Sequence, residues 1–380
     1  MDVPPGGLQH ALWYIHDLRW SGRPRGSAER DAGGAAASGS PEWDGAGPPG
    51  SERRGFLPHL GNERRGAAII WSMWLLSRRE LLGAGIGLTA AAAGAYGLVE
   101  HGLLPGRYRL AEALGQCGGT PPPPAGPEPV RENVTFQSAY RRRAVRMVTL
   151  VPAAAARATG RPALRVVVAL HGLGGDARSA ADMYGPAMAR AGVTGFAVVA
   201  ADGGDTYWHK RADGDDPLGM IVHEVLPRAA ARGLATGRIG IIGYSMGGYG
   251  ALLLAERLGA RPAAGPAAAA VAAASPAIFT SYQAATAADA SAFASPAEFA
   301  ANDVLTRLAA LRRVPAWVAC GGTDPFEPVT QMVRGRLHRL TGRPVAGGIE
   351  SGCHDDAFWA RSAPSGLDFA GSHLAGRAAS

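Results

Sequence analysis

The chain is poor in cysteine and nearly without lysine: it has 3 cysteines, and Lys210 is the only lysine among 38 basic residues. Cys117, Cys320 and Cys353 form no C-x-x-C pair, which removes zinc-finger and thioredoxin-type readings, and no metal-ligand spacing appears elsewhere. No Gly-Lys-Ser/Thr follows any glycine-rich turn, so phosphate cradling by a P-loop is excluded. Internal repeats are absent, and with them the solenoid architectures. The formal net charge is +7, yet a nucleic-acid binder should cluster arginines on one element with aromatics between them. The nearest run, Arg141-Arg-Arg-Ala-Val-Arg146, opens an expected strand and reads as a solvated edge. The bias to Arg, Ala and Gly reads as GC-rich coding, with no nucleic-acid partner.

What is present divides the 380 residues unevenly. Residues 1–72 are rich in Gly, Pro, Arg and Ser without periodicity, and cannot bury enough apolar surface to order themselves. There follows Met73-Trp-Leu-Leu-Ser-Arg78-Arg79-Glu-Leu81-Leu82, then an uncharged stretch to Val99. Paired arginines before a moderately apolar Gly/Ala-rich segment resemble a twin-arginine export signal, with Leu81 where Phe is usual. Since such signals act at an N-terminus, Met73 is the expected translation start and residues 1–72 a leader that is not translated. Residues 73–99 are either cleaved, at Ala93-Gly-Ala95, or retained as an anchor, for the uncharged stretch approaches the roughly 20 residues that span a bilayer. The arginines place the remainder of the chain outside the cytoplasm. Residues 100–133, with Pro121–Pro124, read as a semi-rigid linker, and 134–377 as the catalytic domain.

Within that domain, Val145–Val151, Ala163–Leu170, Phe196–Ala201, Arg238–Ile242, Val271–Ser275, Val314–Cys320 and Val345–Glu350 read as strands. Several are continuous apolar runs, as strands buried on both faces require. Helical stretches alternate with them, which predicts a mostly parallel, doubly wound sheet, with residues 281–313 as a small helical cap. The stretch around which the rest is arranged is Gly243-Tyr-Ser245-Met-Gly247-Gly. An apolar run enters it and helical composition leaves it. This is the layout of a nucleophile elbow, in which a serine hydroxyl stands exposed on a strained strand-to-helix turn.

A serine hydroxyl needs an adjacent base, itself oriented by a third group, and in this sheet type both must come from loops at the carboxyl ends of strands. Cys320-Gly-Gly-Thr-Asp324 offers Asp324, with Glu327 in reserve, and Ser351-Gly-Cys353-His354 offers His354. The order Ser, Asp, His is that of α/β-hydrolases. Asp355 and Asp356 adjoin the base too closely in sequence to orient it, and His209, His223, His338 and His373 lack such a setting. Attack on a carbonyl builds an oxyanion that needs preorganised N–H donors. In this fold one is the amide after the nucleophile, Met246. The other lies in His171-Gly172-Leu173-Gly-Gly, assigned to Leu173 with Gly172 as the alternative. That loop should follow the third strand but follows the second of those just named, so one strand near the start is missing. Asp202-Gly-Gly-Asp205-Thr-Tyr-Trp208 ends a strand beside the elbow, which places Asp205 and Trp208 as candidate cleft residues.

His171-Gly-Leu-Gly-Gly, Gly-Tyr-Ser245-Met-Gly-Gly, the Asp324 loop and Cys-His354-Asp-Asp-Ala-Phe-Trp together resemble the esterase family of α/β-hydrolases that includes S-formylglutathione hydrolase, feruloyl esterases and secreted mycolyltransferases. The resemblance covers about 134 to 370 and implies Ser245 as nucleophile, Asp324 as acid, His354 as base, an ester substrate, and neither metal nor organic cofactor. Mycolyltransferases generally carry Glu as third member, so Asp324 leans towards hydrolysis over acyl transfer to a sugar or lipid. A catalytically silent surface-binding protein is the alternative from another class. If Asp324 meets His354, Cys320 and Cys353 are expected to pair, on condition that their Cα atoms stand about 4.4–6.8 Å apart.

Overall fold

The computed structural model describes residues 107–124, 126–158, 163–259 and 264–374. The expected leader and the export segment at 73–99 lie outside these residues. Eight strands form one sheet: β1 (Val130–Ser138), β2 (Arg143–Val151), β3 (Arg165–Leu170), β4 (Phe196–Ala201), β5 (Ala235–Tyr244), β6 (Ala267–Ala274), β7 (Ala316–Gly321) and β8 (Ile349–Glu350). Their spatial order is β1-β2-β4-β3-β5-β6-β7-β8. β1 pairs antiparallel with β2 and β2 antiparallel with β4, while all remaining pairs are parallel. The strand missing from the sequence reading is β1. Its residues are mostly exposed, so it carries no apolar run to announce it.

The central parallel strands are apolar over most of their length because both faces are covered. Val166, Val168 and Leu170 of β3 join one core cluster, and Val167 and Ala169 the other. The first cluster is closed by α6 (Met246–Leu258) and α10 (Glu327–Thr341), the second by α3 (Ala177–Arg190) and α11 (Asp356–Ser372). β6 reads Ala-Ala-Ala-Ala-Val-Ala-Ala-Ala, a sequence of high helical propensity, yet it is a buried strand; tertiary burial overrides the local preference. Its small side chains let α11 approach closely: a Cβ on Gly366 would stand 3.6 Å from that of Ala272.

The helical stretch after β4 comprises α4 (Pro217–Met220), a π turn over Ile221–Val225 and α5 (Leu226–Ala230). Pro227 stands at the junction, and its missing N–H cannot extend a regular ladder. The stretch expected as a cap contains α7 (Tyr282–Ala288), α8 (Pro296–Ala301) and α9 (Val304–Arg307), followed by a 3-10 segment to Arg313. Two short elements complete the set, α1 (Arg107–Ala113) and α2 (Ala153–Arg157). Among the described residues, no helix is long and apolar enough to cross a membrane.

Candidate active site

β5 ends and α6 begins on either side of Ser245, whose backbone sits at φ 54°, ψ −124°. A side chain there is strained, at a typical cost of about 1–3 kcal/mol. The turn closes only because its neighbours are glycines: a Cβ on Gly243 would fall 2.1 Å from the Gly247 carbonyl oxygen, and one on Gly247 2.1 Å from that of Leu170. The Ser245 carbonyl accepts from the amides of Ala277 (3.0 Å) and Tyr249 (3.1 Å), which pins the turn from both sides.

The loops after β7 and β8 converge on this turn. Ser245 Oγ lies 2.9 Å from His354 Nε2, and His354 Nδ1 lies 2.8 Å from Asp324 Oδ2. A carboxylate only accepts, so Nδ1 carries the proton and Nε2 is left to accept from the hydroxyl. Asp324 is fully buried. Burial by itself would push its carboxyl up, but the charge that His354 carries when protonated, and hydrogen bonds from His354 and the Phe326 amide (2.8 Å), hold it below the usual carboxylate range. The two loops touch so closely that a Cβ on Gly321 would meet the Gly352 carbonyl oxygen at 2.4 Å. Phe326 and Trp359 flank the imidazole, with ring centroids 5.2 and 5.0 Å away. Glu327, the reserve acid, opens α10 and accepts from Gln331 instead. Asp355 caps α11 through the Phe358 amide (2.8 Å).

On the other side of Ser245 stands the loop after β3. Gly172 is pressed against the Tyr244 ring, where a Cβ would come within 2.9 Å, and 3.5 Å from the Ser245 Cβ. His171 is fully buried and organises the loop. Its Nε2 accepts from the Gly203 amide (2.9 Å), so Nδ1 holds the proton and donates to the Gly172 carbonyl (2.8 Å). Burial lowers its pKa and keeps the ring neutral. The Leu173 and Met246 amides have no acceptor among the described residues, and Leu173 is itself exposed.

The two candidate cleft residues part company. Asp205 is exposed, and its Oδ1 accepts from the Gly174 amide at 2.6 Å, so it braces the loop carrying Leu173. Trp208 does not line a cleft: it is fully buried, donates from Nε1 to the His171 carbonyl (3.1 Å), and fills the space left by Gly203 and Gly250. Its bulk and apolarity suit it to the core beneath the site. The other histidines among the described residues hold structure. His209 bonds the Ala292 carbonyl (2.9 Å), His223 stacks on Tyr140 (5.1 Å), and His338 and His373 bond backbone carbonyls.

The cysteine pairing differs from the expectation. The disulfide joins Cys117 to Cys353, Cα atoms 4.8 Å apart, and Cys320 is a buried free thiol. Cys320 points under the sheet end, beside Asp324, Thr330 and Ser275, where burial pushes its thiol pKa up. The sulfur of Cys353 is bound to that of Cys117, in the segment after α1. By composition that segment reads as linker, and neither composition nor spacing ties Cys117 to the site. Among the described residues, Cys117, Cys353 and Asp355 are close enough to share a metal ion, but both sulfurs are used in the disulfide.

No protein-family model and no curated protein matches the sequence. Solved structures do resemble it. A ferulic acid esterase superposes with a TM-score of 0.51 at 17% identity, over 65% of this chain and 99% of that one. An S-formylglutathione hydrolase from Agrobacterium tumefaciens gives 0.52 at 15%, over 65% and 96%. A fluorophosphonate-binding serine hydrolase of Staphylococcus aureus gives 0.52 at 17%, over 64% and 99%. At these identities the likeness carries the architecture, and the chain has the α/β-hydrolase fold.

Proposed function

We propose that this protein is a serine esterase acting through an acyl-enzyme. The reading is carried by the unbroken chain of hydrogen-bond contacts from the strained Ser245 hydroxyl through His354 to the buried Asp324 carboxylate, at 2.9 and 2.8 Å. Ser245 Oγ attacks the ester carbonyl carbon while His354 Nε2 takes its proton. The resulting oxyanion is met by the Leu173 and Met246 amides, which in the resting chain have no acceptor among the described residues. The alcohol leaves with the proton returned by His354. Water, deprotonated by the same nitrogen, then attacks the acyl-enzyme, releases the acid and restores the hydroxyl. Asp324 keeps the imidazole in the tautomer this cycle needs and stabilises its cationic form.

The fold neighbours are esterases and a serine hydrolase, which supports this class over a silent binding protein. So does the retained backbone strain at Ser245, which a binding scaffold would have no use for. Transfer of the acyl group to a sugar or lipid uses the same first half-reaction and differs only in the acceptor. A panel of p-nitrophenyl esters of varied chain length, run with and without an added alcohol, tests both. Free acid as the dominant product supports hydrolysis, a transesterified product supports transfer, and no turnover of any ester contradicts both.

Export by the twin-arginine route is part of the proposal. The supporting observation is the disulfide, which persists in oxidising compartments and is rare in the cytosol. Substituting Arg78 and Arg79 by lysine should leave the protein in the cytoplasm of the producing cell. Export that survives the change, measured by fractionation and immunoblot, contradicts it.

A further inference from the structure

His354 sits in the least supported part of the sheet. β8 is two residues long, at the edge, and half-exposed to exposed, so strand pairing does little to hold the loop after it. Other contacts supply the support. Gly322 donates to the Glu350 carbonyl (2.7 Å), and Thr323 donates to the Gly352 carbonyl from its amide (3.0 Å) and its hydroxyl (2.7 Å). The same hydroxyl approaches Cys353 Sγ at 3.0 Å.

The residue immediately before the base is then bound covalently to Cys117, 236 positions away. The segment holding Cys117 is anchored in turn. Arg361 donates from Nη1 to the Gly119 carbonyl (2.8 Å) and from Nη2 to those of Cys117 (3.1 Å) and Ser351 (3.0 Å). One guanidinium thus joins both sides of the disulfide, and Ala111 of α1 is buried against the two sulfurs.

We propose that the Cys117–Cys353 disulfide is a positioning group for His354, stapling the segment after α1 to the base-bearing loop, so that the site is fully competent only in the oxidised chain. The inference rests on His354 being the base. A dithiol reductant of small-molecule or thioredoxin type supplies two electrons and two protons, converts the bridge to two thiols, and itself becomes a disulfide. The loop then keeps its hydrogen bonds but loses its covalent tether, and the imidazole moves relative to Ser245. A shift on the order of 1 Å in such a group costs up to about 100-fold in rate. The burial of both cysteines, 7% and 6% exposed, makes the reaction slow without denaturant, which suits a staple set once after export.

The test uses the full chain, oxidised, reduced by dithiothreitol and reoxidised, beside the Cys117→Ser/Cys353→Ser double variant and Cys320→Ala as a control thiol. Bridge status is followed by intact mass, turnover with p-nitrophenyl butyrate, and local order by hydrogen exchange. The expected result is a roughly 10- to 100-fold fall in kcat with KM changed less than about 3-fold, reversed on reoxidation and unaffected by Cys320→Ala. Exchange should rise in peptides covering 349–358 while β3, β5 and β6 stay protected. Unchanged exchange at 349–358 after verified reduction overturns the proposal, as does a rise spread equally over the whole sheet, which would make the bridge a general stabiliser. If the double variant does not fold, native-state reduction of the wild type gives the same readouts. An oxidised chain that never turns over an ester contradicts the esterase reading alone, because the exchange measurement still decides whether the bridge holds the loop.

Discussion

At the scale of single residues, the site exchanges stability for geometry. Ser245→Ala should remove the nucleophile and lower kcat by roughly 10⁴- to 10⁶-fold. Ser245→Gly should be equally inactive yet about 1 kcal/mol more stable, since glycine adopts the backbone at φ 54° without the penalty a Cβ incurs; a lower melting temperature for the glycine variant would contradict the strain argument. Asp205→Ala frees the Gly174 amide and loosens the loop carrying Leu173. It should reduce kcat roughly 10-fold with little effect on KM, because oxyanion donors act in the transition state. Away from the site, Glu256 on α6 is buried with Arg307 at 3.8 Å, and burial pushes its carboxyl up to about 8 despite that partner. Between the ordinary glutamate value and about 8, the folded chain holds a proton that the unfolded chain has released, so this group's contribution to stability falls as pH rises through that window. Glu256→Gln removes the titration. Denaturant melts from about pH 5 to 8 should show the wild type losing stability relative to the variant, by up to about 4 kcal/mol.

At the scale of elements, the crossing of β5, α6 and β3 is the most constrained point. Gly247→Ala should destabilise by more than about 4 kcal/mol or prevent folding, because its Cβ would collide with backbone atoms of Leu170 and His171 that cannot move independently. How far these features are legible in the sequence depends on how local they are. The elbow is legible because Gly243 and Gly247 are imposed by close contacts at the turn itself. Asp324 and His354 are legible because the end of a buried strand is a recognisable place for a functional loop. Trp208 escapes such a reading because position after a strand does not reveal which way a side chain points, and here the empty space at Gly203 and Gly250 draws it inward. The cysteine pairing escapes it too, because Cys320 is buried beside Asp324 while Cys353 meets a partner more than two hundred residues earlier. β1 leaves no trace, being exposed along most of its length.

At the scale of the whole molecule, a sheet buried on both faces delivers three loops from β5, β7 and β8 to one point, with a fourth from β3 opposite. Continuous apolar runs separated by helical stretches announce that sheet. Its strand order, and the arm that closes over the edge at Cys353, depend on contacts no local pattern records. Whether this convergence makes Ser245 an activated nucleophile is decided by covalent labelling of the oxidised full chain with a fluorophosphonate. One adduct per chain is expected, mapped by mass spectrometry to Ser245 and abolished by His354→Ala. A folded, oxidised protein that takes up no label, or is labelled equally well without His354, would contradict it.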